Sequence, residues 1–329
     1  MKAVILRRFG GPEVLEIADA PIPAAARGRL LLRVRAAGVN FAETLMRQDR
    51  YAISPPLPAI LGVEAAGEVV EIGPGVTGFA IGDRVAAPLF AAGEYFGGYA
   101  EYVTIDADLA APIPDALSYP EATALMVQGL TALNLVKRDS LEGKTVLVNA
   151  AAGGVGSLLL QLARRAGAAN IIAAASSEKK LAFARRLGAD RGVDYSRPDW
   201  GEALRAATNG AGPDIVYESA GGAVTETSLA LLAPFGRMVV YGALNIQQFR
   251  LGVPELLGLV FKNQSLTGFA LTTAATPVEL RADLVELFDL ATRGLVTVTI
   301  GGEFPLEDAS HAHRALEERA TIGKLALIP

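Results

Sequence analysis

The chain contains no cysteine. That single absence excludes disulfides, thiolate catalysis and cysteine-based zinc sites together. Histidine is almost as scarce: the two present, His311 and His313, stand two apart on an expected C-terminal helix. They therefore point to different sides, and both are expected at the surface. No uncharged apolar stretch approaches the roughly 18 residues that a membrane span needs. The opening MKAVILRRFG places five residues between Lys2 and Arg8, too few for the apolar region of a signal peptide. Lysine and arginine are scattered, and a net charge of −5 leaves no basic face for nucleic acid. The expectation is a soluble, cytoplasmic protein. With 329 residues it is too long for one small core, so two domains are expected.

Two textures are present. Residues 1 to about 122 hold short β-like runs punctuated by glycine and proline, such as RLLLRVRAAGVN (29–40), the segment 65–88, and GGYAEYVTID (97–106). Closely spaced strands of this kind predict a small antiparallel barrel or sandwich. From about residue 123 continuous apolar strands alternate with helices. The expected strands are TVLVNA (145–150), NIIAAAS (170–176), GVDY (192–195), DIVYESAG (214–221), RMVVYGA (237–243) and SLTGFAL (265–271). That alternation predicts a parallel sheet covered on both faces. A long helix, a strand at VTVTI (296–300), another helix and a terminal strand KLALIP follow.

The first βα turn carries the chemistry. Six apolar or small residues lead into A-x-x-G-x-x-G (Ala150, Gly153, Gly156) and then into a helix. This is the arrangement that seats a dinucleotide's pyrophosphate. Free N–H groups and the helix dipole attract the anion, and a Cβ on the turn would hold it away. Glycine also closes turns for structural reasons alone, but four further βα-like units support the nucleotide reading. No Gly-Lys-Ser/Thr follows, which excludes a P-loop.

The second strand indicates which dinucleotide. An NAD site places a carboxylate there to hold the ribose 2′-hydroxyl. Here the strand ends AAASSEKK, with Ser176 and Ser177 at that place and Lys179 and Lys180 just beyond. Hydroxyls and an ammonium suit the 2′-phosphate of NADPH, which a carboxylate would repel. The structural alternative is a helix N-terminus capped by Ser177.

With these residues in view, the chain resembles the zinc-free quinone oxidoreductase (zeta-crystallin-like) branch of the medium-chain dehydrogenase/reductase superfamily. The resemblance rests on AAGVNFAETLMRQDRY, PAILGVEAAGEVVEIGPGV, GDRVA, GGYAEYV, QGLTAL, AAAGGVG, LGAD, YESAGG and GKLALIP, in that order. It implies an α/β protein: a Rossmann doubly wound parallel sheet plus a GroES-like β-rich catalytic domain. The implied divisions are 1–122 for the first part of the catalytic domain, 123–272 for the NADPH-binding domain and 273–329 for the return. The catalytic-zinc cysteine of the superfamily is replaced by Asn40, and its Gly-His-Glu becomes Gly62-Val63-Glu64. No metal is therefore expected, and no Lewis acid polarises an alcohol. What remains is hydride transfer to a small acceptor that is already electrophilic, a quinone or an activated enone.

Carried over from the family, Asn40 lies by the nicotinamide and the acceptor, and Thr131 by the nicotinamide end. Gly153, Gly154 and Val155 form the pyrophosphate turn. Ser176, Lys180 and Tyr195 flank the 2′-phosphate. Ser219, Tyr241 and Gly242 end the fourth and fifth strands at the ligand-binding edge of the sheet. Arg319 and Lys324 are weaker phosphate candidates, because charges near a terminus are usually just solvated. Tyr51 matches in position the proton donor of enoyl-thioester reductases, so a 2-enoyl-thioester reductase is the alternative activity. A non-catalytic NADPH- or RNA-binding relative is less favoured. Leu45 stands where some quinone reductases carry tyrosine and Gln128 where some carry lysine, which leaves the acceptor's shape open. The family further implies a homodimer joined across the SLTGFAL edge, since bare apolar edges tend to be covered.

Overall fold

Short strands separated by tight turns occupy the first 130 residues. In chain order they are β1 (Lys2–Leu6), β2 (Leu15–Asp19), β3 (Arg29–Val39), the helix α1 (Phe41–Arg47), β4 (Ala59–Ile60), β5 (Ala65–Ile72) and β6 (Arg84–Ala87). β7 (Tyr102–Asp106), β8 (Ala111–Pro112) and α2 (Tyr119–Ala124) complete this part. A π-helical turn, Leu125–Gly129, leads directly into α3 (Leu130–Lys137). Strands and helices then alternate: β9 (Thr145–Val148), α4 (Gly154–Arg165), β10 (Asn170–Ala175), α5 (Glu178–Arg186), β11 (Arg191–Asp194) and α6 (Trp200–Ala207). The series continues with β12 (Ile215–Glu218), α7 (Ala223–Ala230), β13 (Arg237–Val240), α8 (Val253–Lys262), β14 (Ser265–Gly268) and α9 (Leu271–Ala274). The tail adds α10 (Pro277–Thr292), β15 (Ile300–Pro305), α11 (Ala309–Glu317) and β16 (Lys324–Ile328). This computed structural model describes residues 1–242, 248 and 250–329, so Ala243, the last residue of the expected fifth strand, lies outside the described residues.

The chain forms two compact units, Met1–Leu130 with Ala275–Pro329, and Thr131–Ala274. The first is β-rich. Its seven-stranded sheet runs β15-β16-β3-β5-β6-β8 with β7 also paired to β3, and a separate sheet runs β2-β1-β4. Apart from the parallel pair β15–β16, these ladders are antiparallel. The tail thus enters the first unit as a strand: Leu325, Ala326 and Leu327 pair with Val39, Gly38 and Ala37.

The second unit is a doubly wound sheet of order β11-β10-β9-β12-β13-β14, every neighbouring pair parallel. Counted in order of appearance this is 3-2-1-4-5-6, so the strand order reverses between β9 and β12 and opens a crevice at their carboxyl ends. Leu147, Ile172, Val216 and Met238 pack under Trp200 and Leu204 of α6, Leu229 of α7 and Leu232 just past it. Alternate residues of these short strands are buried too, which is why they read as unbroken apolar runs.

Several boundaries differ from the sequence reading, two of them with a clear physical reason. Residues 123–130 belong with the first unit, because Val127 N–H donates to Glu64 Oε2 at 2.7 Å and Gly129 lies against Leu287 of α10. The strand expected at 296–300 begins only at Ile300, where its register with Lys324 of β16 starts. β-branched residues favour strand, but a ladder begins only where a partner is extended.

Candidate active site and nucleotide site

The glycine turn of the second unit is built as an anion seat. Gly153 is the N-cap of α4 and offers no side chain to its first turn. The opening N–H groups of the helix therefore have no partner within it. Gly156 is forced: a Cβ there would lie 2.5 Å from the carbonyl oxygen of Ala150 and 2.8 Å from Ala151 Cα. Ala150 itself holds φ at 50°, a left-handed conformation that costs an alanine about 1–3 kcal/mol. The turn keeps this strain so that β9 can feed α4 at close range.

At the end of β10, Ser177 caps α5, its hydroxyl accepting the Lys180 N–H at 3.4 Å. The Lys180 ammonium reaches back to Ser176 Oγ at 3.4 Å, and no carboxylate stands at the end of the strand. Tyr195 follows β11, its N–H donating to Ala175 O of β10 at 3.0 Å. Ser176, Lys180 and Tyr195 are thus gathered at one crest. Ser219 and Gly242 adjoin each other, since a Cβ on Gly242 would lie 2.5 Å from Ser219 Cβ. Tyr241 N–H donates to Glu218 O at 2.9 Å, and burial pushes the Tyr241 hydroxyl's pKa well up. Beneath them Glu218 is buried at the reversal of strand order. Its carboxylate accepts from Gly221 N at 2.7 Å, Thr225 Oγ1 at 2.9 Å and Asn149 Nδ2. Asn149 Oδ1 is buried without a partner. Bare helix N–H groups, and an ammonium beside a serine hydroxyl just past the second strand, suit a dinucleotide with a 2′-phosphate. Thr131, buried, opens this unit on α3.

In the first unit Asn40 is the N-cap of α1, and Glu43 reaches back to its backbone N–H at 3.1 Å as a capping box. The Asn40 side chain is held on both sides. Its Nδ2 donates to Glu64 Oε1 at 2.9 Å and to Glu43 Oε1 at 3.3 Å, while Oδ1 accepts from Lys324 Nζ at 2.6 Å. Lys324 also pairs with Glu64, whose second oxygen accepts the Val127 N–H. Asn40 is 5% exposed, and Glu43, Glu64 and Lys324 are fully buried. Two buried carboxylates accompany a single ammonium here, and of the two Lys324 pairs with Glu64 alone. Glu43 receives only neutral donors, and burial raises its pKa to about 7. Tyr51, 39% exposed, follows α1, and burial followed by the charges of Glu43 and Tyr95 holds its hydroxyl's pKa up.

Two expectations are corrected. Lys324 is not a solvated phosphate ligand but the buried cation of the Asn40 cluster. His313 is not at the surface. It is fully buried, whereas His311 is exposed beside Asp308. Arg47 can only donate, so His313 Nδ1, 3.5 Å from Arg47 Nη1, is the acceptor and Nε2–H donates to the Tyr99 hydroxyl at 3.1 Å. Burial, then the Arg47 charge, lowers the His313 pKa to about 3. Arg319, with φ at 54°, follows α11 in the first unit. Gln128 Oε1, in the π-turn beside Val127, is buried without a partner. Sequence reading missed Glu43's place in the cluster. The signal was present in the spacing N-x-x-E at a helix start.

Known proteins extend these observations. The profile of the alcohol dehydrogenase GroES-like domain matches residues 26–115, and that of zinc-binding dehydrogenases matches residues 154–292. A quinone oxidoreductase of Pseudomonas aeruginosa is 35% identical over 332 residues, spanning all of this chain and 99% of that protein. A 2-haloacrylate reductase of a Burkholderia species is 33% identical, spanning 99% of this chain and 98% of that protein. The crystal structure of Escherichia coli quinone oxidoreductase complexed with NADPH superposes with a TM-score of 0.91 at 33% identity, covering both chains fully.

Proposed function

This chain belongs to the zinc-free quinone oxidoreductase branch of the medium-chain dehydrogenase/reductase superfamily, and on that footing we infer that it is an NADPH-dependent quinone oxidoreductase. The observation that carries the reading is the Asn40 cluster. At the place where zinc relatives hold a metal ligand, this chain holds an amide locked between an ammonium and a carboxylate. Such a site cannot polarise an alcohol, and it suits an acceptor that is electrophilic already.

NADPH, when bound, supplies a hydride from its nicotinamide. The chain's own residues bind and orient it. The pyrophosphate is assigned to Gly153, Gly154 and Val155 at the start of α4, where partnerless N–H groups meet the positive end of the helix. Ser176, Lys180 and Tyr195 are assigned to the 2′-phosphate. Ser219, Tyr241 and Gly242 border the crevice, and Thr131 is assigned to the nicotinamide end. Arg319 is kept as a phosphate candidate from the first unit. Asn40 is assigned to the acceptor through the Nδ2 hydrogen that Glu43 holds only at 3.3 Å, and Tyr51 to proton delivery.

The assembly assigned to the chain is a cytoplasmic homodimer. Among the described residues no helix is long and apolar enough to cross a membrane. β14 is the sheet edge, and α8 beside it has no buried residue and exposes Val253, Val260 and Phe261. The reading is tested by following NADPH and NADH oxidation with a panel of quinones, enones and enoyl-CoAs. Turnover with quinones and NADPH is expected. Turnover confined to enoyl-CoAs would replace it with the enoyl-thioester reading.

A further inference from the structure

Lys324 opens β16, five residues before the end of the chain, and its side chain is fully buried. Strand β3 makes room for it at Gly38. A Cβ at that position would lie 2.1 Å from Glu64 Oε1 and 2.7 Å from Lys324 Cε, so nothing larger than glycine fits against the ion pair. The three side chains close a ring. The ammonium donates to Asn40 Oδ1, Asn40 Nδ2 donates to Glu64 Oε1, and that same oxygen takes the ammonium.

An amide looks nearly alike from both ends, but an ammonium and a carboxylate do not. Turning the Asn40 amide over would press Nδ2 against a cation and Oδ1 against an anion. The ring therefore permits one orientation only. We propose that Lys324 is the positioning residue of the acceptor site, holding the Asn40 amide in one orientation and neutralising Glu64 so that both can stay buried. The proposal rests on the reading that Asn40 faces the acceptor. It makes the C-terminal strand a working part of the site and not only a closing strand of the sheet.

The test is a mutant cycle. Lys324→Met alone leaves Glu64 buried and unpaired, which threatens folding. The pair Lys324→Met/Glu64→Gln removes both charges together and keeps the shape. It is made with and without Asn40→Ala, and each variant is measured for NADPH affinity by fluorescence titration and for kcat and KM with a quinone. The pair is expected to bind NADPH within about twofold of the parent and to lose at least tenfold in kcat. Adding Asn40→Ala to the pair should then cost less than about twofold, because groups acting as a unit are not additive. If the Asn40→Ala loss multiplies in full on the pair, Lys324 does not act through Asn40 and the proposal falls. An unchanged kcat in the pair, with Asn40→Ala still damaging, overturns the proposal while leaving the role of Asn40 intact. An unchanged kcat in Asn40→Ala alone overturns that role and the proposal with it.

Discussion

Removing the Lys180 ammonium should separate the two nicotinamide cofactors. In the structure its Nζ makes a long contact of 3.4 Å with Ser176 Oγ. The cap of α5 uses the Lys180 backbone N–H and not the side chain, so Lys180→Ala leaves the helix start in place. The loss on binding is one charge-assisted contact to a phosphate, about 1.5–3 kcal/mol. That corresponds to a Kd for NADPH raised roughly 10- to 150-fold. NADH has no phosphate to lose and should change less than about twofold. Fluorescence titration of both cofactors measures the difference. Repeating it at higher salt adds a check, because a partly exposed charge contact is screened over about 8–10 Å at physiological ionic strength. The NADPH dependence on salt should flatten in the variant. Equal weakening of both cofactors would show that Lys180 supports the fold of the crest and not the 2′-phosphate.

Further expectations concern proton delivery, pH and assembly. Tyr51→Phe keeps the ring and removes the hydroxyl, so quinone turnover should stay within about tenfold while any enone activity falls by about 10²–10⁴-fold. Steady-state kinetics on both substrates decide this, and a collapse of quinone turnover alone would make Tyr51 an essential acid. His313 is neutral when folded, with a pKa of about 3 against 6.5 when free. The unfolded chain therefore binds the extra proton, and the stability is complete above pH 6.5 and lost as pH falls toward 3. Glu43 has the opposite sign. Its pKa is raised from 4.5 to about 7, so its contribution is complete below pH 4.5 and lost as pH rises through about 7. Thermal melts across pH should show His313→Gln flattening the acid limb and Glu43→Gln the neutral one, and melts unchanged by either variant would contradict these burial effects. Sedimentation of the parent should give a dimer at micromolar concentration and Phe261→Glu a monomer; a monomeric parent rules the assembly out.

Much of the second unit is legible along the chain because its signals are local. The apolar run of β9, the glycines at Gly153 and Gly156 and the amphipathic start of α4 lie within about a dozen residues, and each needs only its neighbours to be read. The missing acid after β10 is of the same kind, whereas the order of strands and the reversal between β9 and β12 are set by pairing across the sheet.

The Asn40 site is different. Asn40 and Lys324 are 284 positions apart, Lys324 and Glu64 are 260 apart, and Tyr99 and His313 are 214 apart. Nothing near Lys324 in sequence distinguishes it from a solvated terminal lysine, and nothing near His313 distinguishes it from a surface histidine. What sequence determines by itself is the nucleotide-binding sheet, its bare turn and the loss of the metal ligands. Only the tertiary structure decides which charges are buried together. A buried charge is chosen by its partner, and here β16 brings that partner back from the far end of the chain.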